Sequence, residues 1–488
     1  MKRCVLIAAV LVMTGWAAGF SQDHAALMLA VNTGDLETFK KELDPVDDLD
    51  EIVINGFTLL NYSILGVHPD FVEYLLDRGV DVEEPSRRLS PLMHAARINN
   101  TEILELLIKA GADIDREVNH RNALAVAIIV DGKEARELLE ANGAEVELND
   151  GVDGPYVYFD TTSAKTVILS VDQRNRIRID SLETMPDELF VQTPGNKSFR
   201  VPLREPAEEK ESVYDNTDRI FAISDIEGNF EEFVSSLQAN GVIDDGFNWT
   251  FGQDHLVLLG DFLDRGNNVT PLLWLIYKLE HEAEQAGGKV HYLLGNHELM
   301  NIWGDFRFVN SRYKILAYKS GLDMRRFYCG QSHLGAWLRT KNVVEKIGDI
   351  LFVHAGISDS LIQLDLDIPM INEIARHSID VPDTALSEAA IRILYDYGVL
   401  WYRGYIREGM DYEKAPTESV DEVLAYFDAE HIIVGHSIVG DISQDYGGKI
   451  IRIDVDHYHN PSCGILITPD AIYKAMEDGE TELMLERN

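Results

Sequence analysis

Leu256-Val257-Leu258-Leu259-Gly260-Asp261-Phe262-Leu263-Asp264-Arg265-Gly266 is a short apolar run that ends abruptly in glycine, two carboxylates and an arginine. A run of this length, bounded by turn residues, suits a buried strand. The same design recurs. Ile220 to Ile223 runs into Ser224-Asp225-Ile226-Glu227-Gly228-Asn229, and Val290 to Leu294 into Gly295-Asn296-His297-Glu298. Ile350 to Val353 reaches His354-Ala355-Gly356, and Ile432 to Val434 reaches Gly435-His436-Ser437. Helical segments separate several of these strands, so the chain from Arg219 onward reads as a layered α/β fold. Ligands in such folds collect at the carboxyl ends of strands, and these tips are expected to converge on one site.

The residue types at the tips suit a pair of divalent cations: oxygen from Asp, Glu and Asn, nitrogen from His. Two cations about 3.5 to 4 Å apart can hold a hydroxide between them and neutralise charge on a phosphate under attack. Any single tip is weak evidence. Their occurrence in order, each at a strand end, is specific.

Upstream of the α/β region, Gly151 to about Asp215 carries short apolar runs such as Tyr156-Val157-Tyr158-Phe159 and Thr166-Val167-Ile168-Leu169, separated by Asp, Asn, Pro and Gly. These read as strands of a β-rich connector over 150–215. Every candidate ligand lies beyond Asp215, so a fragment beginning there is expected to keep hydrolysis.

Further toward the N-terminus the sequence repeats. Arg78-Gly79-Val80-Asp81-Val82, Ala110-Gly111-Ala112-Asp113-Ile114 and Asn142-Gly143-Ala144-Glu145-Val146 align, with their glycines 32 residues apart. A helix-period apolar pattern precedes each glycine, and a second short helix precedes that. Ser90-Pro91-Leu92-Met93-His94-Ala95 resembles the ankyrin opening, at a period one short of that family's usual value of about 33. Leu27 to Leu43 resembles a capping unit, which makes about four repeats over 24–149. One helix pair cannot bury its apolar face alone, so the units stack. A protein partner along the concave face is the expected use, with a spacer as the alternative. His94 is read as a helix-packing residue.

Lys2, Arg3, the apolar run Val5 to Met13 and the small residues to Ser21 read as a signal peptide over 1–21. Spanning a bilayer takes about 20 apolar residues, and this run is shorter. The mature protein is therefore expected to be exported, periplasmic or secreted, with no membrane span. Cys4 would leave with the signal, and whether Cys329 and Cys463 pair is left open. The chain holds 43 Lys+Arg against 83 Asp+Glu, a formal charge of -40. That excess opposes attraction to a nucleic-acid backbone, and nucleic acid is excluded as a generic partner.

Asp225-x-x-Gly, Gly260-Asp-x-x-Asp-Arg-Gly266, Gly295-Asn-His-Glu298, His354-Ala-Gly and Gly435-His436 together resemble the calcineurin-like metallophosphoesterases of the phosphoprotein phosphatase family. Asn296 to Asn301 with Gly304-Asp305-Phe306-Arg307, Trp337-Leu338-Arg339 and Leu400-Trp401-Tyr402-Arg403-Gly404-Tyr405 resemble its Shewanella-like branch. The resemblance covers about 219–470. It implies a β-sandwich with flanking helices, the metallophosphoesterase domain over 216–475 and a tail over 476–488. The whole is then multi-domain: an all-α ankyrin solenoid, the connector and the α/β domain.

Carried over by position, the resemblance implies that Asp225, Glu227 and Asp261 hold one metal and that Asp261 bridges to a second held by Asn296, His354 and His436. His297 would protonate the leaving oxygen, oriented by Asp264. Arg265, Arg403 and Asn296 would bind the phosphate. Other readings stand beside these: Arg265 as a local partner of Asp264, Arg403 as an edge residue stacked on Trp401 or Tyr402, His297 as a further ligand. Where the family pattern has histidine, this chain has Glu227, making the first site all oxygen and favouring manganese, with iron, zinc or cobalt as alternatives. His255, His291, His457 and His459 read as surface or strand-end residues, although Asp456 to His459 could line the site rim. The expected activity is metal-dependent phosphomonoester hydrolysis, with a leaning toward phosphotyrosine in proteins. The rivals are a nucleotide or dinucleoside polyphosphate hydrolase and an ankyrin binding protein with an inactive phosphatase fold.

Overall fold

The structure is a computed structural model that describes residues 24–148, 151–205, 211–395, 397–406, 413–457, 459–460 and 462–487. The signal peptide expected over 1–21 lies outside the described residues. No helix among those described is long and apolar enough to cross a membrane. The chain divides into two compact units, Met1–Glu147 and Leu148–Asn488.

In the first unit, α1 (Ala25–Thr33) pairs with α2 (Leu36–Leu43), α3 (Leu59–Leu65) with α4 (Pro69–Asp77), α5 (Pro91–Arg97) with α6 (Thr101–Lys109) and α7 (Ala123–Ile129) with α8 (Lys133–Ala141). In the second, third and fourth pairs the start of the first helix is set by the same device. The side chains of Thr58, Ser90 and Asn122 accept from the backbone N–H of Asn61, Met93 and Ala125, satisfying donors the first turn leaves free. Carboxylates tie each repeat to the next: Asp50 accepts from the Asp81 N–H at 2.9 Å, Glu83 from Asp113 at 2.6 Å and Asp115 from Glu145 at 3.1 Å. His94 is buried with Nε2 3.0 Å from the Ser86 carbonyl oxygen. Burial pushes its pKa down to about 4, so it is neutral and structural.

The second unit is a β-sandwich. Its strands are β1 (Asp153–Asp160), β2 (Lys165–Val171), β3 (Ile177–Leu182), β4 (Glu188–Gln192), β5 (Ser198–Pro202), β6 (Val213–Tyr214), β7 (Ile220–Ile223), β8 (His255–Leu258), β9 (Lys289–Tyr292), β10 (Val344–Ile347), β11 (Ile350–Val353), β12 (His431–Val434), β13 (Ser443–Asp445), β14 (Ile450–Arg452), β15 (Ser462–Ile467), β16 (Ala471–Met476) and β17 (Thr481–Glu486). One sheet runs β9-β8-β7-β15-β16-β17, the other β13-β14-β12-β11-β10-β6. They meet through Ala222, Val257, Leu259 and Ile465 on one side and Phe352, Ile433 and Ile451 on the other, all buried. Strands β7, β8 and β9 are parallel, as are β11, β12 and β14, so each group presents its carboxyl ends together. Helices α9 (Phe230–Ala239), α10 (Val269–Ala286) and α11 (Asn296–Trp303) follow β7, β8 and β9 in turn.

Residues 151–205 and 211–215, within the stretch read as a β-rich connector, carry β1 to β6 and fall in the second compact unit. Strand β1 lies on α10, where the Trp274 indole donates to the Pro155 carbonyl at 2.8 Å and the Thr270 hydroxyl donates to the Tyr156 hydroxyl at 2.8 Å. The Tyr156 hydroxyl in turn donates to Asp153 at 2.7 Å. The first turns of α10 are apolar nearly all round, a pattern that requires cover on both faces. Likewise the tail expected over 476–488 contains β17, which pairs antiparallel with β16 and packs Met484 and Leu485 on the sandwich core. Its alternation was too short to distinguish from a polar end.

A fragment beginning at Leu148 is therefore expected to unfold cooperatively in urea. One beginning near Asp215 should be less stable by about 3 kcal/mol or more, or should not fold, since it strips α10 and orphans buried partners. Coincident urea midpoints for the two fragments would refute this.

Candidate metal centre and active site

The site is assembled on a buried carboxylate. Glu298, in the first turn of α11 and fully buried, turns back so that one oxygen accepts from the backbone N–H of Asp261 at 2.9 Å and Gly295 at 2.7 Å. Its other oxygen accepts from the N–H of Phe262 at 2.8 Å and Leu263 at 3.3 Å and from the Tyr292 hydroxyl at 3.0 Å. The tips of β8 and β9 are locked together by one side chain. The fit leaves no room for a Cβ at Gly295, which would lie 2.2 Å from Asp261 Oδ1, or at Gly435, which would lie 2.3 Å from Asp225 Oδ2. Asp225, Glu227, Asp261, Asp264, Arg265 and His436 all have left-handed backbone, with φ between 49° and 73°. Strain of this kind persists where the surroundings over-determine it, and clusters at functional sites.

Two histidines complete the centre. His354, fully buried at the tip of β11, lies with Nδ1 2.6 Å from the Leu259 carbonyl, so Nδ1 carries the proton. Its Nε2 lies 3.2 Å from Asp261 Oδ2 and 3.0 Å from Asn296 Oδ1; burial lowers its pKa, but the Asp261 carboxylate outweighs that and holds it at about 9, so a cation bound here would take the place of the Nε2 proton. His436 presents a buried Nε2 with no hydrogen-bond partner. The ligating atoms of Asp261, His354 and His436 lie within 4.8 Å of one another. Two imidazole nitrogens, a carboxylate and an amide oxygen, oriented by the backbone behind them, fit a divalent cation.

Beside them the carboxylates crowd. Asp225 Oδ2 accepts from the His436 N–H at 3.0 Å and from the Ser224 hydroxyl. Burial, then the charge of Asp454, holds the Asp225 carboxyl well above its usual range. Burial lifts Glu227 to about 7 against the pull of Arg265, with which it is ion-paired. Burial and then Glu227 and Asp261 raise Asp454 strongly. For Asp261, burial is outweighed by His354 and His297, and its carboxyl is held ionised. So many carboxyl groups pressed together out of water hold protons unless a cation takes their place.

His297 stands at the edge of this cluster. Its Nδ1 is 2.7 Å from Asp264 Oδ2, and the Asn301 amide donates to the other Asp264 oxygen at 2.7 Å. Its Nε2 points inward, 3.8 Å from Asp261 Oδ2. Burial lowers its pKa, but Asp261 and the Asp264 hydrogen bond outweigh that and hold it at about 9. Arg403 donates to the Ser437 hydroxyl at 2.8 Å and to the His436 carbonyl at 3.2 Å. Asp225, Glu227, Asp261, Asn296, His297, Arg265, Arg403 and His436 all line one open cleft of about 460 Å³, with His354 and Asp264 buried against it. Every candidate site residue read from the sequence is thus brought to one place.

Residues 218–440 match the calcineurin-like phosphoesterase family, and residues 81–150 match ankyrin repeats. The solved structure of a cold-active protein tyrosine phosphatase superposes with a TM-score of 0.61 at 30% identity, covering 68% of this chain and 97% of that one. The chain belongs to the calcineurin-like phosphoesterases. Within them it is similar to the cold-active protein tyrosine phosphatase of a psychrophilic Shewanella species, at 29% identity with a TM-score of 0.61 over 68% of this chain and 99% of that one. It is also similar to Shewanella-like protein phosphatase 2 of Arabidopsis thaliana, 29% identical over 294 residues, 50% of this chain and 72% of that protein. This calcineurin-like phosphoesterase is accordingly a hydrolase of phosphate esters, of a family that uses divalent metal ions.

Sequence reading missed three residues. Asp454 follows β14, whose register pairs Arg452 with Val434 of β12; two residues on, Asp454 comes beside His436. The signal was the same strand-to-carboxylate pattern, missed because the sequence reads as a strand from Ile450 to Val455 with Asp454 inside it, whereas the strand ends at Arg452. Asn301 and Glu298 were quoted as text without a task. His291 is not at a surface: it is buried, 2.5 Å from the Glu345 carboxylate and 3.0 Å from His255. Asp456 and His457 do line the cleft, and His457 Nε2 is 2.9 Å from the Ser224 carbonyl. Arg265 pairs with Glu227 and not with Asp264. Cys329 and Cys463 are both free.

Glu298→Gln puts an amide donor against backbone donors. It should destabilise the fold by about 3 kcal/mol in denaturant titration and weaken metal retention. An unchanged midpoint would mean the loops hold themselves.

Proposed function

We infer that this phosphoesterase is a two-metal protein phosphatase that favours phosphotyrosine. The observation that carries this reading is the cleft itself: the unpartnered Nε2 of His436, the inward Nε2 of His297 and the guanidiniums of Arg265 and Arg403 address one volume large enough for a phosphoryl group and its ester, with His354 buried against it. Cations held by Asp225, Glu227, Asp261, Asn296, His354 and His436, with manganese first, would supply an activated water and neutralise phosphate charge. Arg265 and Arg403 orient the phosphate oxygens from opposite walls, a task suited to a planar fork of donors. His297 protonates the leaving oxygen from Nε2, with Asp264 fixing the ring and Asn301 fixing Asp264. The likeness to solved tyrosine phosphatases supports the leaning to phosphotyrosine. The ankyrin unit supports a protein partner, and the basic, apolar and small residues that open the chain support a role outside the cytoplasm.

Turnover of a phosphotyrosine peptide, a phosphoserine peptide and a dinucleoside tetraphosphate by the manganese-loaded protein tests the reading. Preferential cleavage of the dinucleotide would overturn it. His297→Asn should lower turnover by roughly 10²- to 10⁴-fold with metal content kept near that of the parent; loss of metal would make His297 a ligand. The acid form of His297 is required, so activity is lost as pH rises through its pKa, about 9 before bound cations draw it down. This alkaline limb should vanish in His297→Asn.

Glu227→His replaces the carboxylate on the cleft wall with imidazole. Metal affinity should move from manganese toward zinc and cobalt, read by titration of each metal into the apoprotein. Identical affinity profiles would mean that Glu227 serves Arg265 alone.

A further inference from the structure

Beyond the metal centre, one exposed ring stands beside His297. Phe308 is 43% exposed, in the short segment after α11. Its ring centroid lies 5.1 Å from that of His297, tilted by 49°. Two guanidiniums flank it, Arg265 at 5.8 Å and Arg307 at 5.7 Å from the ring centre. Arg307 is itself held by both oxygens of Asp305, donating to Oδ1 at 2.9 Å and to Oδ2 at 2.7 Å. The backbone is also fixed: the Arg265 N–H donates to the Phe308 carbonyl at 3.0 Å, and the Asn310 amide donates to the Arg265 carbonyl at 2.8 Å. A large apolar ring is thus clamped in water beside the catalytic acid. Single exposed rings are common; this one is distinguished by its packing against the proposed acid and between two guanidiniums.

The direction of the acid says what covers it. Nδ1 of His297 is taken by Asp264, so only Nε2 can deliver a proton, and the ester oxygen must sit next to that atom. A group bonded to that oxygen comes within reach of the His297 ring, against which Phe308 packs. We propose that Phe308 is the wall of a leaving-group subsite that selects aryl over alkyl phosphate esters. In a tyrosyl ester the aromatic ring is bonded directly to the departing oxygen. It therefore reaches the range of about 4.5 to 7 Å in which rings stack or meet edge to face. A seryl ester places a methylene and then backbone there, with no ring to offer. This rests on the reading that His297 protonates the leaving group, and it assigns the tyrosine preference to a side chain outside the metal and phosphate machinery.

Paired phosphotyrosine and phosphoserine peptides of the same flanking sequence test it, through the ratio of kcat/KM for the two. Phe308→Ala should lower that ratio about 3- to 10-fold, the worth of one aromatic pair, and Phe308→Tyr should restore it to within about twofold. An unchanged ratio in Phe308→Ala, including a parallel loss on both peptides, would overturn the proposal, because Phe308 would then only support Arg265 and His297. Binding of phenylphosphonate against methylphosphonate to the manganese-loaded protein gives a reading that needs no turnover. A phenyl preference present in the parent and lost in Phe308→Ala supports the wall. Absence of that preference in the parent overturns it. Should neither peptide be hydrolysed while the phosphonate preference behaves as expected, the phosphatase reading fails and the aryl wall stands.

Discussion

The carboxylate of Glu298 is the constraint on which the rest of the site depends. A charged group fully out of water is tolerated only where hydrogen bonds replace the lost solvent, and here four backbone N–H groups and a phenol do so. Those donors belong to the two loops that present Asp261 and Asn296. Satisfying the charge and setting the distance between two loops are therefore one event. The same event aims α11, and with it His297 and Asn301, at Asp264.

Charge is the second organising force. Asp225, Glu227 and Asp454 line one cleft in a protein of net charge -40, and burial first, then the neighbouring carboxylates, sets the upward direction of each shift. Cations are the natural counterweight, and the imidazoles of His354 and His436 offer nitrogen beside that oxygen. Glu227 is paired with Arg265, so a carboxylate and a guanidinium of the cleft wall fix one another.

Much of this was legible beforehand, because each ligand follows an apolar strand and parallel strands bring their ends together. Asp225, Asp261, Asn296, His354 and His436 could be found that way, and the glycine period exposed the repeats. Asp454 escaped because the β-branched residues Ile453 and Val455 on either side of it extend the strand pattern past the point where the strand ends, at Arg452. The place of β1 against α10 also escaped, since only the all-round burial of α10, invisible without a partner, demands it. The pairing of Arg265 with Glu227 depends on two left-handed turns that no local pattern announces. His291 looked like an ordinary strand-end residue because its partner Glu345 lies on a strand of the other sheet.

The carboxylate rungs of the first unit, from Asp50 to Asp81, Glu83 to Asp113 and Asp115 to Glu145, join only adjacent repeats. Nothing in that ladder skips a neighbour, so each rung carries load independently of those beyond it. Such a stack behaves under tension as a chain of similar springs. It yields one repeat at a time, and each can close again when the pull relaxes.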